Sequence, residues 1–416
     1  MLKTTSLYIQ IALLTLIIPE ASAGSMTLKS AEKIALERSS EVKIILAQSQ
    51  ELSEIAIAKG QFNDPKLNIA IANLPTDSFN FSQEPMTQIQ LGIEQAFPKG
   101  ASLSYNTLNM HHKALAKQED GSVMRLKIRQ KVRLSWLNLA FWLNAKSILD
   151  KEKRVFENLV QVTQSMLANN KTQQKDVIRA NLDLLSIKNK LITVSENIQL
   201  ARSELARWIG NNKASRVNPS YLPNWRLGSV SNLFSNLKNH PVLISDMEKI
   251  NAKNNKVNFQ KEQFKPEFSM GGGYGFRQGN NGNGSKRADF VQIKLGVSLP
   301  LFPSKRQNKQ LKASQLSLFS QKEMRVGHVR DLSDMLNKNL ATFNLKQRSA
   351  NLYQSQLVPE AKHYAKATLS SYENNKTDFP TLAKAYVTQF NTELGFIQAL
   401  RDRTQARINL LFIQGR

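Results

Sequence analysis

Histidine pairs, nucleophile–base pairs, carboxylate clusters and glycine-rich loops carry most protein chemistry, and this chain groups none of them as a reaction or a metal ion would require. His111 and His112 are adjacent, so one helix face cannot present both to a single ion, and His240, His328 and His363 are scattered. The chain has no Cys, which removes thiolate ligands and thiol nucleophiles, and its 10 Met form no ladder for a soft metal. Gly271-Gly272-Gly273 sits inside an alternating apolar pattern instead of following one, so it is not a phosphate-binding loop. No acid–base constellation stands out among the carboxylates. The expectation is a chain that is not an enzyme and holds no cofactor or resident metal.

Composition narrows the remaining classes. The 57 Lys and Arg outnumber the 32 Asp and Glu by 25 over 416 residues. The basic residues are spread along the chain, and the densest run, Lys127 to Arg133, has the spacing of a solvated helix face. That distribution argues against a nucleic-acid footprint, which gathers charge on one patch. Lys3, an apolar stretch from Leu7 to Ile18, and Ala21-Ser22-Ala23 read as a secretory signal peptide over 1–23, cleaved after Ala23. No Cys stands at the cleavage point, so an amino-terminal lipid anchor is not expected. No later stretch of about 18 apolar residues reads as a membrane helix. An exported chain of this kind belongs in the periplasm, outside the cell, or in an outer-membrane β-barrel.

The most informative feature is an internal repeat. Gln61-Phe62 with Pro65 returns as Gln263-Phe264 with Pro266, the prolines 201 residues apart. Asn169-Asn170-Lys171-Thr172 returns as Asn374-Asn375-Lys376-Thr377, and Ala201-Arg202, Leu205 and Gly210 return as Ala406-Arg407, Leu410 and Gly415, all shifted by 205. The chain therefore divides into a first repeat at 24–212, a connector at 213–227 with Pro219 and Pro223, and a second repeat at 228–416.

Each repeat predicts a helix, a hairpin, a very long helix, a turn and a long returning helix. Strands are expected at about 66–74 and 87–97, then at about 267–276 and 289–300, from strict alternation such as Leu67, Ile69 and Ile71 against Asn68, Ala70 and Ala72. Strands of about 9 to 11 residues suit a tilted bilayer crossing, although a half-wet soluble sheet alternates in the same way. Four strands cannot close a barrel, so only an oligomer would make one that spans a membrane. Helices are expected at about 101–168 and 174–209, then at about 304–373 and 379–414. The two longest would reach about 100 Å each and need coiled-coil partners. Val177, Leu184, Leu191, Ile198 and Leu205 form one heptad seam, and Ala180, Ile187, Val194, Ala201 and Trp208 form the other.

Two copies of hairpin plus long antiparallel coiled coil, a Pro opening the first strand of each hairpin, and Leu299-Pro300-Leu301-Phe302 closing the second resemble the TolC family of outer-membrane efflux channels. The resemblance covers essentially the whole mature chain. It implies a mainly α fold with a membrane β-barrel: a homotrimer closing one 12-stranded barrel that continues into a periplasmic α-helical tunnel. Asn73-Leu74-Pro75-Thr76-Asp77 through Gln83-Glu84-Pro85-Met86-Thr87, with Phe97-Pro98-Lys99-Gly100, is similar to members paired with heavy-metal exporters.

The resemblance also implies site residues. The turns joining the long helices would lie at the periplasmic end, constrict the pore and meet an adaptor. Here they carry Asn169, Asn170, Lys171 and Thr172 in one repeat and Asn374, Asn375, Lys376 and Thr377 in the other. Asp176 matches the family's acidic position after the first turn and Tyr372 the aromatic before the second. Asn170 and Asn375 stand where the usual tip residue is Gly, and Lys384 stands where a second carboxylate would be, with Asp378 nearby as a substitute only at another depth. The implied partners are a periplasmic adaptor (membrane fusion) protein, an inner-membrane pump of the resistance-nodulation-division class, and outer-membrane lipid, with no nucleic acid. The implied function is passive export, of metal cations first, with drugs or a secreted polypeptide as the alternative cargo. A periplasmic helical scaffold is the alternative from outside transport.

Overall fold

The computed structural model describes residues 26–219, 221–225 and 230–416. The expected leader at 1–23 and part of the expected connector lie outside these residues. Two short helices, α1 (Leu28–Arg38) and α2 (Ser40–Ala58), lead into strands β1 (Lys66–Ala72) and β2 (Gln88–Phe97). Helix α3 (Ser102–Ala168) then runs for 67 residues without a break, about 100 Å, and α4 (Gln174–Ile209) returns along it. After α5 (Asn211–Ala214), the chain forms α6 (Val230–Asn236), α7 (Pro241–Glu262), β3 (Glu267–Arg277) and β4 (Phe290–Ser298). It ends in α8 (Gln307–Leu352), α9 (Val358–Glu373) and α10 (Phe379–Ile413).

The four strands form one antiparallel sheet in the order β1-β2-β3-β4, so β1 and β4 are its edges. The register aligns Ile69 with Leu91, Leu91 with Tyr274, and Tyr274 with Val291, which puts the apolar residues of all four strands on one face. Among the described residues nothing covers that face. Val291, Ile293 and Leu295 are each 76% exposed, and Leu67, Ile69, Phe268 and Met270 are exposed with them. The opposite face carries Asn68, Gly92, Gly273 and Gln292 in one row and Lys66, Glu94, Gly271 and Lys294 in the next. Water penalises a continuous exposed apolar face of this size, whereas lipid does not. Phe97 and Phe268 pair at the end of the sheet nearest the helices, and Tyr274 and Phe276 pack together at the other. Aromatic residues at both borders of an apolar band are the pattern of a membrane strip.

The helices extend from one end of the sheet. Nearest the strands, α2 packs on α3, α3 on α7, and α7 on α8; farther away, α4 packs on α3, α3 on α10, and α10 on α9. The α4 seam is buried at Ala180, Leu184, Ile187, Val194, Ile198, Ala201 and Leu205, so heptad spacing does decide which face meets α3. Ile178, Leu182, Leu185 and Ile192, one helical face removed, stay exposed. Among the described residues no helix is long and apolar enough to cross a membrane.

The long helix expected at 304–373 is not continuous. It starts at Gln307, and residues Tyr353–Leu357 form one wide π turn before α9. Pro359 explains the break, because its missing N–H and its ring are incompatible with the carbonyl one α turn earlier, and a wider turn relieves the clash. The helix ahead of the first hairpin is split at Ser39, whose hydroxyl accepts from Val42 N at 3.1 Å and caps α2.

The unpaired apolar face generates a test. Ile293→Arg should cost about 2 to 4 kcal/mol in lipid and abolish heat-resistant assembly in outer membranes, whereas Gln292→Arg on the opposite face should assemble normally, as read by cell fractionation and gel mobility.

Candidate functional site

The far ends of the coiled coils are built from two turns with the same geometry. Asn169 ends α3 and Asn374 ends α9, and the following Asn170 and Asn375 both adopt φ of 55°. Asn170 N donates to Leu167 O at 3.0 Å and Lys171 N to Met166 O at 2.8 Å. In the second turn Asn375 N donates to Tyr372 O at 3.0 Å and Lys376 N to Ser371 O at 2.8 Å. Both are Schellman closures, which need a left-handed residue just past the helix end. Asn is the side chain that tolerates that conformation best after Gly, so the two Asn replace the glycines by chemistry and not by accident.

Each returning helix is then capped by an acidic side chain. Asp176 Oδ2 accepts from Thr172 Oγ1 at 2.8 Å and from Gln173 N at 3.4 Å, completing a capping box at the start of α4. Asp378 Oδ1 accepts from Thr381 N at 3.1 Å at the start of α10. Hydrogen bonding by the Thr381 side chain and then its backbone N–H, with a smaller contribution from Lys175, holds the Asp378 carboxyl below its ordinary value. Thr377 precedes this cap and is half-buried.

The structure brings the two turns into one cluster. Tyr372 is 4% exposed and packs edge-on against Phe379 with ring centroids 6.3 Å apart. Both join Phe156, Leu159, Ala180, Leu184 and Leu382 in a single core beneath the tips. The Tyr372 hydroxyl has no hydrogen-bond partner, and burial, with the Asp176 charge beside it, pushes its pKa up. Asp176 and Tyr372 therefore share one site, and Lys175 bridges electrostatically to Asp378. Lys384 is exposed on α10 between buried Ala383 and Ala385 and belongs to no ion pair among the described residues.

One buried group escaped the sequence reading. Glu152 in α3 is fully buried and neither carboxylate oxygen is hydrogen-bonded; burial pushes its carboxyl up, and Lys190 offsets this in part. Its position in the α3 heptad was the available signal, since a Glu three residues after buried Leu149 and four before buried Phe156 faces the seam. The histidines serve helix packing: His112 Nδ1 lies 2.6 Å from Glu248, His328 Nδ1 lies 2.7 Å from Asp246, and His240 accepts from Val242 N to cap α7. Among the described residues no group of three or more His, Cys, Asp or Glu could hold a metal.

One end of the molecule thus carries an exposed apolar sheet face, and the other carries two capped turns over a shared core. Residues 235–416 match the family model described as "Outer membrane efflux protein". This part of the chain, somewhat under half of its length, is similar to that family. The family is one of transport proteins and not of enzymes. The fold of the whole chain is that of solved outer-membrane channels. The outer membrane protein VceC of Vibrio cholerae is 16% identical, with 93% of this chain and 96% of that one covered at a TM-score of 0.76. The open-state MtrE outer membrane channel of Neisseria gonorrhoeae is 14% identical, with 93% and 88% covered at 0.74. The CmeC outer membrane channel of Campylobacter jejuni is 13% identical, with 93% and 85% covered at 0.73. No curated protein sequence matches the chain. The resemblance to TolC-like channels drawn from the hairpins and coiled coils is thus borne out in family and fold.

Two outcomes follow. Asn170→Ala or Asn375→Ala should each destabilise its tip by about 1 to 2 kcal/mol, while the Gly substitutions should not, as read by thermal unfolding and protease cutting at the tips. Glu152→Met should raise stability by about 1 to 3 kcal/mol at neutral pH. A raised folded-state pKa means that wild type is most stable below the ordinary carboxylate value and loses stability as pH rises through it, so the variant's advantage should shrink on acidification.

Proposed function

We propose that this protein is the outer-membrane exit duct of a tripartite efflux system. A homotrimer inserts its joined sheets in the outer membrane and projects the helices into the periplasm. The observation that carries the reading is the open four-stranded strip, apolar on one face and polar on the other, with both edges unpaired. Three copies placing β4 of one beside β1 of the next would satisfy every edge and put the row of Asn68, Gly92, Gly273 and Gln292 inside a lumen. The same neighbour would cover the exposed stripe of α4.

In this reading the two turns, with Asn169, Asn170, Lys171 and Thr172 and then Asn374, Asn375, Lys376 and Thr377, meet a periplasmic adaptor. An inner-membrane pump of the resistance-nodulation-division class supplies the energy. Asp176, Tyr372, Asp378 and Lys384 surround the constriction. Metal cations are the proposed cargo, supported by three Asp176 carboxylates per trimer and by the loop sequence at 73–100. The basic residues at the tips, Lys171, Lys175, Lys376 and Lys384, favour a second reading, in which the cargo is organic or polypeptide and the constriction is not cation-selective.

Deleting the gene should sensitise cells to metal ions; unchanged metal tolerance with new drug sensitivity selects the second cargo. In bilayers across a salt gradient, Asp176→Ala should lower the cation preference of the open pore, and an unchanged reversal potential would remove Asp176 from the constriction.

A further inference from the structure

The four connections between helices and strands all lie at one end of the sheet, and each combines a phenylalanine with basic residues. The connection into β1 carries Lys59 and Phe62; the one leaving β2 carries Phe97 and Lys99; the one into β3 carries Lys261, Phe264 and Lys265; the one leaving β4 carries Phe302, Lys305 and Arg306. Against them stand Asp64, Glu262 and Glu267. The loops at the other end of the sheet are nearly balanced, with Lys286 and Arg287 facing Asp77, Glu84 and Asp289. The charge of the strip is therefore polarised toward the helices.

The two ends also differ in how their charges are used. At the loop end Arg287 Nη1 donates to Ser82 O, Glu84 O and Gln278 O, each at 3.1 Å, and Arg277 N donates to Asp289 at 2.8 Å. At the helix end only part of the charge is engaged. Lys265 pairs with Glu262 at 2.7 Å, and Lys99 donates to Gln263 O at 3.4 Å. Lys59, Lys261, Lys305 and Arg306 are exposed and have no ion pair among the described residues. Beside them Phe62 is exposed, and Phe302 is 86% exposed just past Leu299 and Leu301, which continue the apolar alternation beyond β4.

We infer that this end of the barrel is a docking collar for anionic phospholipid of the periplasmic leaflet. The inference rests on the outer-membrane reading above, which sets the collar at headgroup depth. Aromatic side chains seat in the interface, and each basic residue within reach of an anionic headgroup adds attraction. Charge complementarity and continuity with the apolar band select lipid over a protein partner. Lys66 is excluded from the collar because its register position opposite Glu94 puts it on the polar face. The collar also accounts for part of the excess of 25 positive charges.

The test compares the detergent-extracted protein with its K59Q/K261Q/K305Q/R306Q variant after reconstitution into phosphatidylcholine vesicles containing spin-labelled phosphatidylglycerol or spin-labelled phosphatidylcholine. Wild type should immobilise phosphatidylglycerol about fivefold or more in preference to phosphatidylcholine, with the preference falling as salt rises and lost in the variant. Circular dichroism and oligomer mass should be the same for both, which separates failure of the collar from failure of the channel reading. Equal binding of the two lipids would overturn the inference. A preference that survives in the variant would place it elsewhere on the barrel and overturn it too. Displacement by inorganic phosphate at matched ionic strength would make the site a phosphate site and not a lipid collar. Loss of adaptor binding in the variant, with lipid preference intact, would assign the surface to protein.

Discussion

The unsatisfied backbone of the two sheet edges is the constraint on which the rest of this structure depends. In hydrocarbon an unpaired N–H or C=O costs several kcal/mol, so an open strip of four strands has no stable existence there. In water the exposed apolar face would be penalised instead. Neither solvent suits one copy of the chain. In the proposed oligomer, joining β4 to the β1 of another copy pairs the edges and lipid covers the apolar face, while the face carrying Gly, Ala, Asn and Gln would line a lumen.

In the proposed closure the helices would follow the strands. Each strand is followed or preceded by a helix at the same end, so a ring of strands would continue as a ring of helices. Gly100 marks how tightly the two are joined: it holds φ of 48°, and a Cβ there would strike the Glu262 carboxylate that accepts from Ala101 N at 2.7 Å. Below the junction the wall is held by heptad packing, with α3 as the common partner of α2, α4, α7 and α10. At the far end the tips are closed by short Schellman turns and acidic caps over a single small core.

Much of this was legible in the residues. Alternation at 67–71 and 291–299 identified strands with two unlike faces, and the seven-residue spacing from Val177 to Leu205 identified the buried seam of α4. Matching Asn-Asn-Lys-Thr turns located both tips, and the left-handed residue in each was readable because Asn stands where helices usually close with Gly. What stayed hidden depends on contacts between distant segments. Nothing local shows that Tyr372 sits beside Asp176 or that both tip turns share the Phe156 core. The π turn ahead of Pro359 was readable in principle, since the proline is visible, but helical periodicity on both sides concealed it. Glu152 was also readable in principle from its spacing to Leu149 and Phe156, but a carboxylate on a buried seam runs against the expectation that charges face water.

The central claim is that the strip is completed by copies of itself. The direct measurement is the protein mass, by light scattering, of the particle extracted from outer membranes in mild detergent. Three copies per particle, released only with detergent, is the result this account predicts. A single copy that leaves the cell envelope without detergent would contradict it, because β1 and β4 would then be unpaired edges and the apolar face would stand in water.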